Sequence, residues 1–168
     1  MDDKQKIRSI LFVTDLPENA GDAFSFAAGM AGAYCATVTV YHVMEKLPGN
    51  SDLFIRAVRS LETADEATDD PKATTAAMIR HEIQDRINRL EAEPDNALRR
   101  VAHLFTDIQV DYGKPGKRIL RHLRTGQYDA LVIEIRRPAM TGKRISGRAL
   151  CRILRKSPVP VFVVPLDI

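Results

Sequence analysis

The residues of this chain that could do chemistry are of the kinds that hold anions, and they follow apolar runs. Asp15 comes after Ile10-Leu11-Phe12-Val13, and Gly113-Lys114-Pro115-Gly116 comes after a weaker extended stretch. Beyond Ala130-Leu131-Val132-Ile133 lies a cationic segment with Arg136, Arg137, Lys143, Arg144, Gly147 and Arg148. Guanidinium and ammonium groups hold phosphate or carboxylate by charge and directed hydrogen bonds, and glycine lets backbone N–H groups come close to such a ligand. A solvated basic surface has the same composition, and an Asp after a strand can equally cap the next helix, so both readings stand at this point.

Other chemistry finds little support. No GxGxxG, Walker A, GxSxG or HExxH pattern occurs, and no SGGxDS-type pyrophosphatase loop. His42, His81, His103 and His122 lie on separate segments without metal-ligand spacing and read as structural or surface residues. Cys35 and Cys151 match no CxxC and read as two buried thiols. The expectation is a non-enzyme with no metal and no catalytic residue.

The elements that would position these groups alternate. A strand is predicted over Ile7 to Thr14, its continuous apolar run suited to burial on both faces. Pro17 and Glu18 suit the first turn of a helix running to about Tyr34, with Gly32 near its end. A second strand ends near Val43. The stretch 45–72, with Pro48-Gly49-Asn50 and an acidic, threonine-rich part, reads as a mobile insertion. Ile79, Ile83, Ile87 and Leu90 mark a long amphipathic helix from about Ala73 to Glu93, stopped or kinked by Pro94. A third strand is predicted over His103 to Val110, then a helix with Ile119, Leu120 and Leu123 that Gly126 ends. A strand over Tyr128 to Ile135, a helix from about Ser146 to Lys156 and a strand over Val159 to Val164 complete the chain.

Such alternation predicts right-handed βαβ units and a parallel sheet covered on both faces, with ligands bound outside the carboxyl ends of the strands. The length of 168 residues, 45% apolar and 28% charged, suits one domain, 1–168. Ala23 to Met44 contains no Asp, Glu, Lys or Arg and is long enough to span a bilayer. Its first half has helical spacing and its second alternates as a strand, which predicts two buried elements and no membrane span. A cytoplasmic location is the default expectation, since no leader-like or lipidation motif is seen.

Charge is unevenly distributed. Gly113 to Lys156 holds 13 Lys/Arg against Asp129 and Glu134, a net of +11, which leaves −8 for the rest of a chain whose total is +3. Lys117, Arg118, Arg121, Arg124, Arg148, Arg152 and Arg155 are expected on one basic face, opposite an acidic or neutral one, with an acidic protein or anionic ligand as its partner. Nucleic acid is disfavoured, because no recognition motif or aromatic platform accompanies the charge.

Taken in order, the pieces resemble the universal stress protein family over nearly the whole chain. They are Val13-Thr14-Asp15, Tyr41-His42-Val43, Val110-Asp111-Tyr112-Gly113-Lys114-Pro115, Tyr128-Asp129-Ala130-Leu131-Val132-Ile133, the helix from Ser146-Gly147-Arg148-Ala149, and Ser157-Pro158-Val159-Pro160-Val161-Phe162-Val163-Val164. The resemblance implies an α/β doubly wound sheet of five parallel strands in order 3-2-1-4-5, and a homodimer joined through Val161, Phe162, Val163 and Val164. It also implies a site for ATP or AMP, with Asp15, Val43, Gly113, Arg136, Lys143, Gly147 and Arg148 as the candidate contacts. ATP-binding members carry G-x2-G-x9-G-(S/T) after the fourth strand. Aligned on Gly147, this chain has Glu134 and Arg137 at the earlier glycines and Arg148 at the Ser/Thr. The expected function is therefore a dimeric stress-response or signalling protein with lost or weakened ATP binding and no cofactor. The alternatives are an ATP-, AMP- or anion-sensing module using the 136–148 loop, and a polyanion-associated protein.

Overall fold

A computed structural model describes residues 6–16, 21–44, 71–92, 96–136 and 147–166. Five strands form one parallel sheet: β1 (Ser9–Val13), β2 (Thr37–Met44), β3 (Phe105–Tyr112), β4 (Ala130–Arg136) and β5 (Val161–Leu166). Their order is β3-β2-β1-β4-β5, as expected. The chain reverses direction across the sheet between β1 and β4, so their carboxyl ends flank the switch point.

Period-two alternation decides what packs where. Ile10 and Phe12 of β1, Val38 and Val40 of β2 and Val132 of β4 meet α1 (Gly21–Tyr34) and α2 (Pro71–Ala92). Leu11, Val13, Tyr41, Val43, Leu131 and Ile133 face the other way, onto α4 (Pro115–Leu123) and α5 (Gly147–Lys156). Burying β1 and β4 on both faces removes the polar alternation of a half-exposed strand, which is why the sequence shows apolar runs there, whereas β2 keeps its alternation, with Thr37 exposed and Thr39 half-buried. Ile79, Ile83, Ile87 and Leu90 form the inner stripe of α2, at the spacing read from the sequence.

The α2 helix begins at Pro71, so residues 71 and 72 belong to it; the remainder of the expected insertion, 45–70, lies outside the described residues, as do Pro17 and Glu18. After Pro94 the chain resumes as a short helix, α3 (Asn96–Val101), and a single 3-10 turn, Ala102–Leu104. The sequence reading gave these residues no element, because six residues are too few to show a helical period. Leu98 and Val101 nevertheless dock on the α1 side of the core, and β3 starts at Phe105, two residues later than expected.

The cysteines are exposed rather than buried. Cys35 follows the last residue of α1 with φ 52°, and the N–H groups of Cys35 and Ala36 return to the carbonyls of Gly32 (3.4 Å) and Ala31 (2.9 Å). This is a Schellman closure with cysteine where glycine is usual, and it places Cys35 outside the core. Cys151 lies on the outer side of α5, away from buried Ile153. No described helix is long and apolar enough to cross a membrane.

Candidate functional site at the switch point

Immediately after β1, Thr14 is fully buried and acts as a hub. Its N–H donates to the Tyr41 carbonyl (3.1 Å), its own carbonyl accepts from His42 Nδ1 (2.8 Å), and its Oγ1 accepts from the Leu16 N–H (3.0 Å). Because a carbonyl can only accept, Nδ1 of His42 carries the hydrogen. Burial pulls the His42 pKa below its ordinary value despite that bond and the nearby Asp15 carboxylate. Leu16 stands at φ 55°, and from α2 Arg86 reaches its carbonyl (3.5 Å) while pairing with Glu82 (3.0 Å).

The decisive side chain comes from β4. Glu134 is 3% exposed, and its Oε1 accepts from Thr14 Oγ1 (2.7 Å) and from the Asp15 N–H (2.6 Å). Its Oε2 is buried with no hydrogen-bond partner among the described residues. Burial raises its pKa from the ordinary 4.5 to about 7, against the lowering effect of its two hydrogen bonds; the Asp15 charge adds to the rise and Arg86 opposes it. A carboxyl group therefore fills the place between β1 and β4 and takes up the N–H of Asp15.

The expected site residues divide. Asp15 joins Glu134 at the switch point. Val43 is buried in the core against α4 and α5. Gly113 follows the last residue of β3 with φ 137°, a conformation in which an L side chain is strained, and its N–H donates to the Met44 carbonyl (2.8 Å). Arg136 is the last residue of β4, in register with Leu166 of β5. Gly147 and Arg148 open α5 as exposed residues, and a Cβ at Gly147 would meet nothing within 4 Å. Lys143, with all of 137–146, lies outside the described residues. Along the proposed dimer edge, Val161 and Phe162 are half-buried, Val163 is 36% exposed and Val164 is buried.

Residues discounted in the sequence take part. His42 holds the Thr14 carbonyl, and His122 belongs to a second cluster. There the Tyr41 hydroxyl donates to Asp111 Oδ2 (2.8 Å), with His122 Nε2 at 3.6 Å and Arg118 Nη1 at 3.8 Å from the same oxygen. The rings of Tyr41 and His122 meet edge to face at 4.3 Å. Burial, then the hydrogen bond and charge of Asp111, hold the Tyr41 hydroxyl well above its ordinary pKa. The available signal was alternation along β2, which sends Tyr41 and His42 to opposite faces.

The sequence model described as the universal stress protein family matches residues 6–165. The chain belongs to that family. Among solved structures, the universal stress protein UspA from Lactobacillus plantarum is similar with a TM-score of 0.62 at 16% identity, over 95% of this chain and 98% of that one. A universal stress protein in complex with cAMP gives 0.52 at 17% identity, over 95% and 97%. The universal stress protein from Archaeoglobus fulgidus in complex with dAMP gives 0.50 at 14%, over 95% and 98%. No curated protein matches the chain. At these identities the solved structures establish the shared fold of this universal stress protein.

Proposed function

We propose that this universal stress protein is a non-enzymatic, dimeric signalling member of its family in which the Glu134 carboxyl takes the place of nucleotide phosphate. One observation carries the reading: buried Glu134 accepts the Asp15 N–H on its Oε1 at 2.6 Å, at the switch point. A backbone donor at such a point is what an anionic ligand would otherwise use, and a buried carboxyl that already accepts from it leaves the donor filled. Arg137 further replaces a glycine with a long side chain in the aligned motif. The non-enzymatic part rests on the motif content of the sequence, and the dimer on the apolar residues of β5 at the edge of the sheet, which pairing with a second copy would cover.

The cAMP and dAMP complexes of two similar structures favour testing a nucleoside monophosphate beside ATP. Native mass spectrometry of freshly purified protein is expected to give a dimer mass without retained nucleotide, and calorimetry to give no tight binding of ATP or AMP. The double change Glu134→Gly and Arg137→Gly is expected to raise ATP affinity by at least about tenfold, since it removes both charge and side-chain obstruction. Tight, stoichiometric ATP binding by the unmodified chain overturns the reading and moves the function to the cationic 136–148 loop.

A further inference from the structure

The helices α4 and α5 follow parallel strands and pack side by side on one face of the sheet, so they run in the same direction. Small residues bring them together: a Cβ added to Gly116 would lie 3.4 Å from the Ala149 Cβ. Neither helix contains Asp or Glu. Lys117 and Arg121, with Arg124 just beyond the end of α4, are exposed at i, i+4 and i+7, and Arg148, Arg152 and Arg155 repeat that spacing on α5. At 1.5 Å per residue this makes two cationic stripes, each about 10 Å long, on axes roughly 8–10 Å apart.

No ion pair joins these cations to an acidic group among the described residues; Arg118, by contrast, turns aside to Asp111. Lys117 and Arg148 stand in first turns, where the helix dipole is already positive and no acidic side chain offsets them. On the opposite face α2 does the reverse, interleaving charges so that Glu82 meets Arg86 and Asp85 meets His81 four residues apart. A surface selected only for solubility would mix its signs as α2 does. The α4–α5 face instead concentrates one sign where two helix dipoles run in parallel.

We infer that the α4–α5 face docks an acidic polypeptide segment of a protein partner. Charge complementarity supplies the attraction, and the form of the face favours protein over nucleic acid. Packed side by side, the two helices present a face about 20 Å across, wider than a major groove of about 12 Å. Neither helix carries Phe, Tyr or Trp to stack a base, and the one imidazole, His122, is turned inward onto the Tyr41 ring. Cys151 is exposed among the cations and Leu154, on the same helix, is 49% exposed, which suits a segment alternating carboxylates with aliphatic side chains. The inference does not depend on whether the switch-point crevice takes a nucleotide.

The test is fluorescence anisotropy on the full chain, with a labelled peptide of about 20 residues rich in Asp and Glu with regularly spaced Leu, and with a DNA duplex of similar charge, at about 50 and 150 mM salt. The peptide is expected to bind more tightly than the duplex. Changing Lys117, Arg121, Arg152 and Arg155 together to Gln is expected to weaken it by roughly tenfold or more, while Arg80→Gln with Arg89→Gln on α2 changes it by less than about twofold. Should the fourfold variant melt far below the parent, Arg121→Gln with Arg152→Gln makes the same comparison. Equal peptide binding by the α4–α5 variant, absence of binding by the parent, or tighter binding of the duplex overturns the inference.

Discussion

Glu134 and Asp111 are carboxylates near the carboxyl ends of strands in the same sheet, yet their surroundings are opposite. Glu134 is 3% exposed, has two donors on Oε1 and leaves Oε2 buried without a partner among the described residues. Asp111 has a 40% exposed side chain and gathers Tyr41, His122 and Arg118 around one oxygen while water can reach the rest. A buried carboxyl with half its capacity unfilled is driven toward its protonated form, whereas a half-exposed one stays solvated and acts as a clamp. The contrast sets a buried group that fills the switch point and takes up the Asp15 N–H against a half-exposed structural tie between β2, β3 and α4.

The largest expected effect breaks the Glu134 side of this contrast. Its folded-state pKa, about 7, lies above the ordinary 4.5, so the native protein holds a proton that the unfolded chain gives up across that interval. The resulting stabilisation is complete below pH 4.5 and is lost as pH rises through about 7, by about 3 kcal/mol. His42, with a lowered pKa, acts in the other direction: its contribution is present above its unfolded value and is lost as pH falls. The difference between parent and Glu134→Gln therefore isolates Glu134. Urea unfolding from about pH 4.5 to 8 is expected to show Glu134→Gln gaining on the parent as pH rises, since the amide oxygen still accepts the two bonds without charge. A constant difference across that range would mean that burial holds no proton on Glu134, and the contrast would fail.

A smaller effect tests the Asp111 side. Tyr41→Phe keeps the ring in its buried place and removes only the hydroxyl that donates to Asp111. Because Asp111 is half-exposed, water replaces the lost donor, and the expected cost is about 1 kcal/mol in urea unfolding. A loss above about 3 kcal/mol would mean that Asp111 is stranded as a buried charge, and the distinction between the two clusters would fail.

How much of this was legible follows from the physics of each element. The runs around Phe12 and Val132 announced buried strands, alternation marked β2, and the alternating helices implied a parallel sheet, whereas the order of its strands came from the resemblance to the family. The α2 stripe was plain because four aliphatic residues recur at helical spacing. The α3 helix was not, since its burial is tertiary: Leu98 and Val101 pack on a core that local sequence does not display. At the site, Glu134 stood out as a departure from the family's glycine. Asp15 was already a candidate contact, but its meeting with Glu134, and that of Thr14, was not legible, because both lie about 120 residues before Glu134 and reach it only through the β1–β4 pairing. Cys35 was misread for a similar reason, as a residue after a helix of small side chains looks buried until the Schellman closure turns it outward. Charge summed along the chain located the basic segment, but only helix packing showed Arg118 leaving the array to meet Asp111.

Arg118 provides the smallest and sharpest test of that departure. Its guanidinium stands 3.8 Å from Asp111, with side chains 38% and 40% exposed, so water and salt screen the pair. Its stem also crosses Gly113, with Nε at 2.9 Å from where a Cβ would lie, so part of its contribution is packing rather than charge. Arg118→Gln is expected to cost a few tenths of a kcal/mol at low salt and less at about 0.5 M NaCl, and a double-mutant cycle with Asp111→Asn to give a coupling below about 0.5 kcal/mol. What remains at high salt is the packing share. A coupling near 2 kcal/mol that survives high salt would show Asp111 acting as a desolvated partner, leaving no physical reason for the two carboxylates to play different parts.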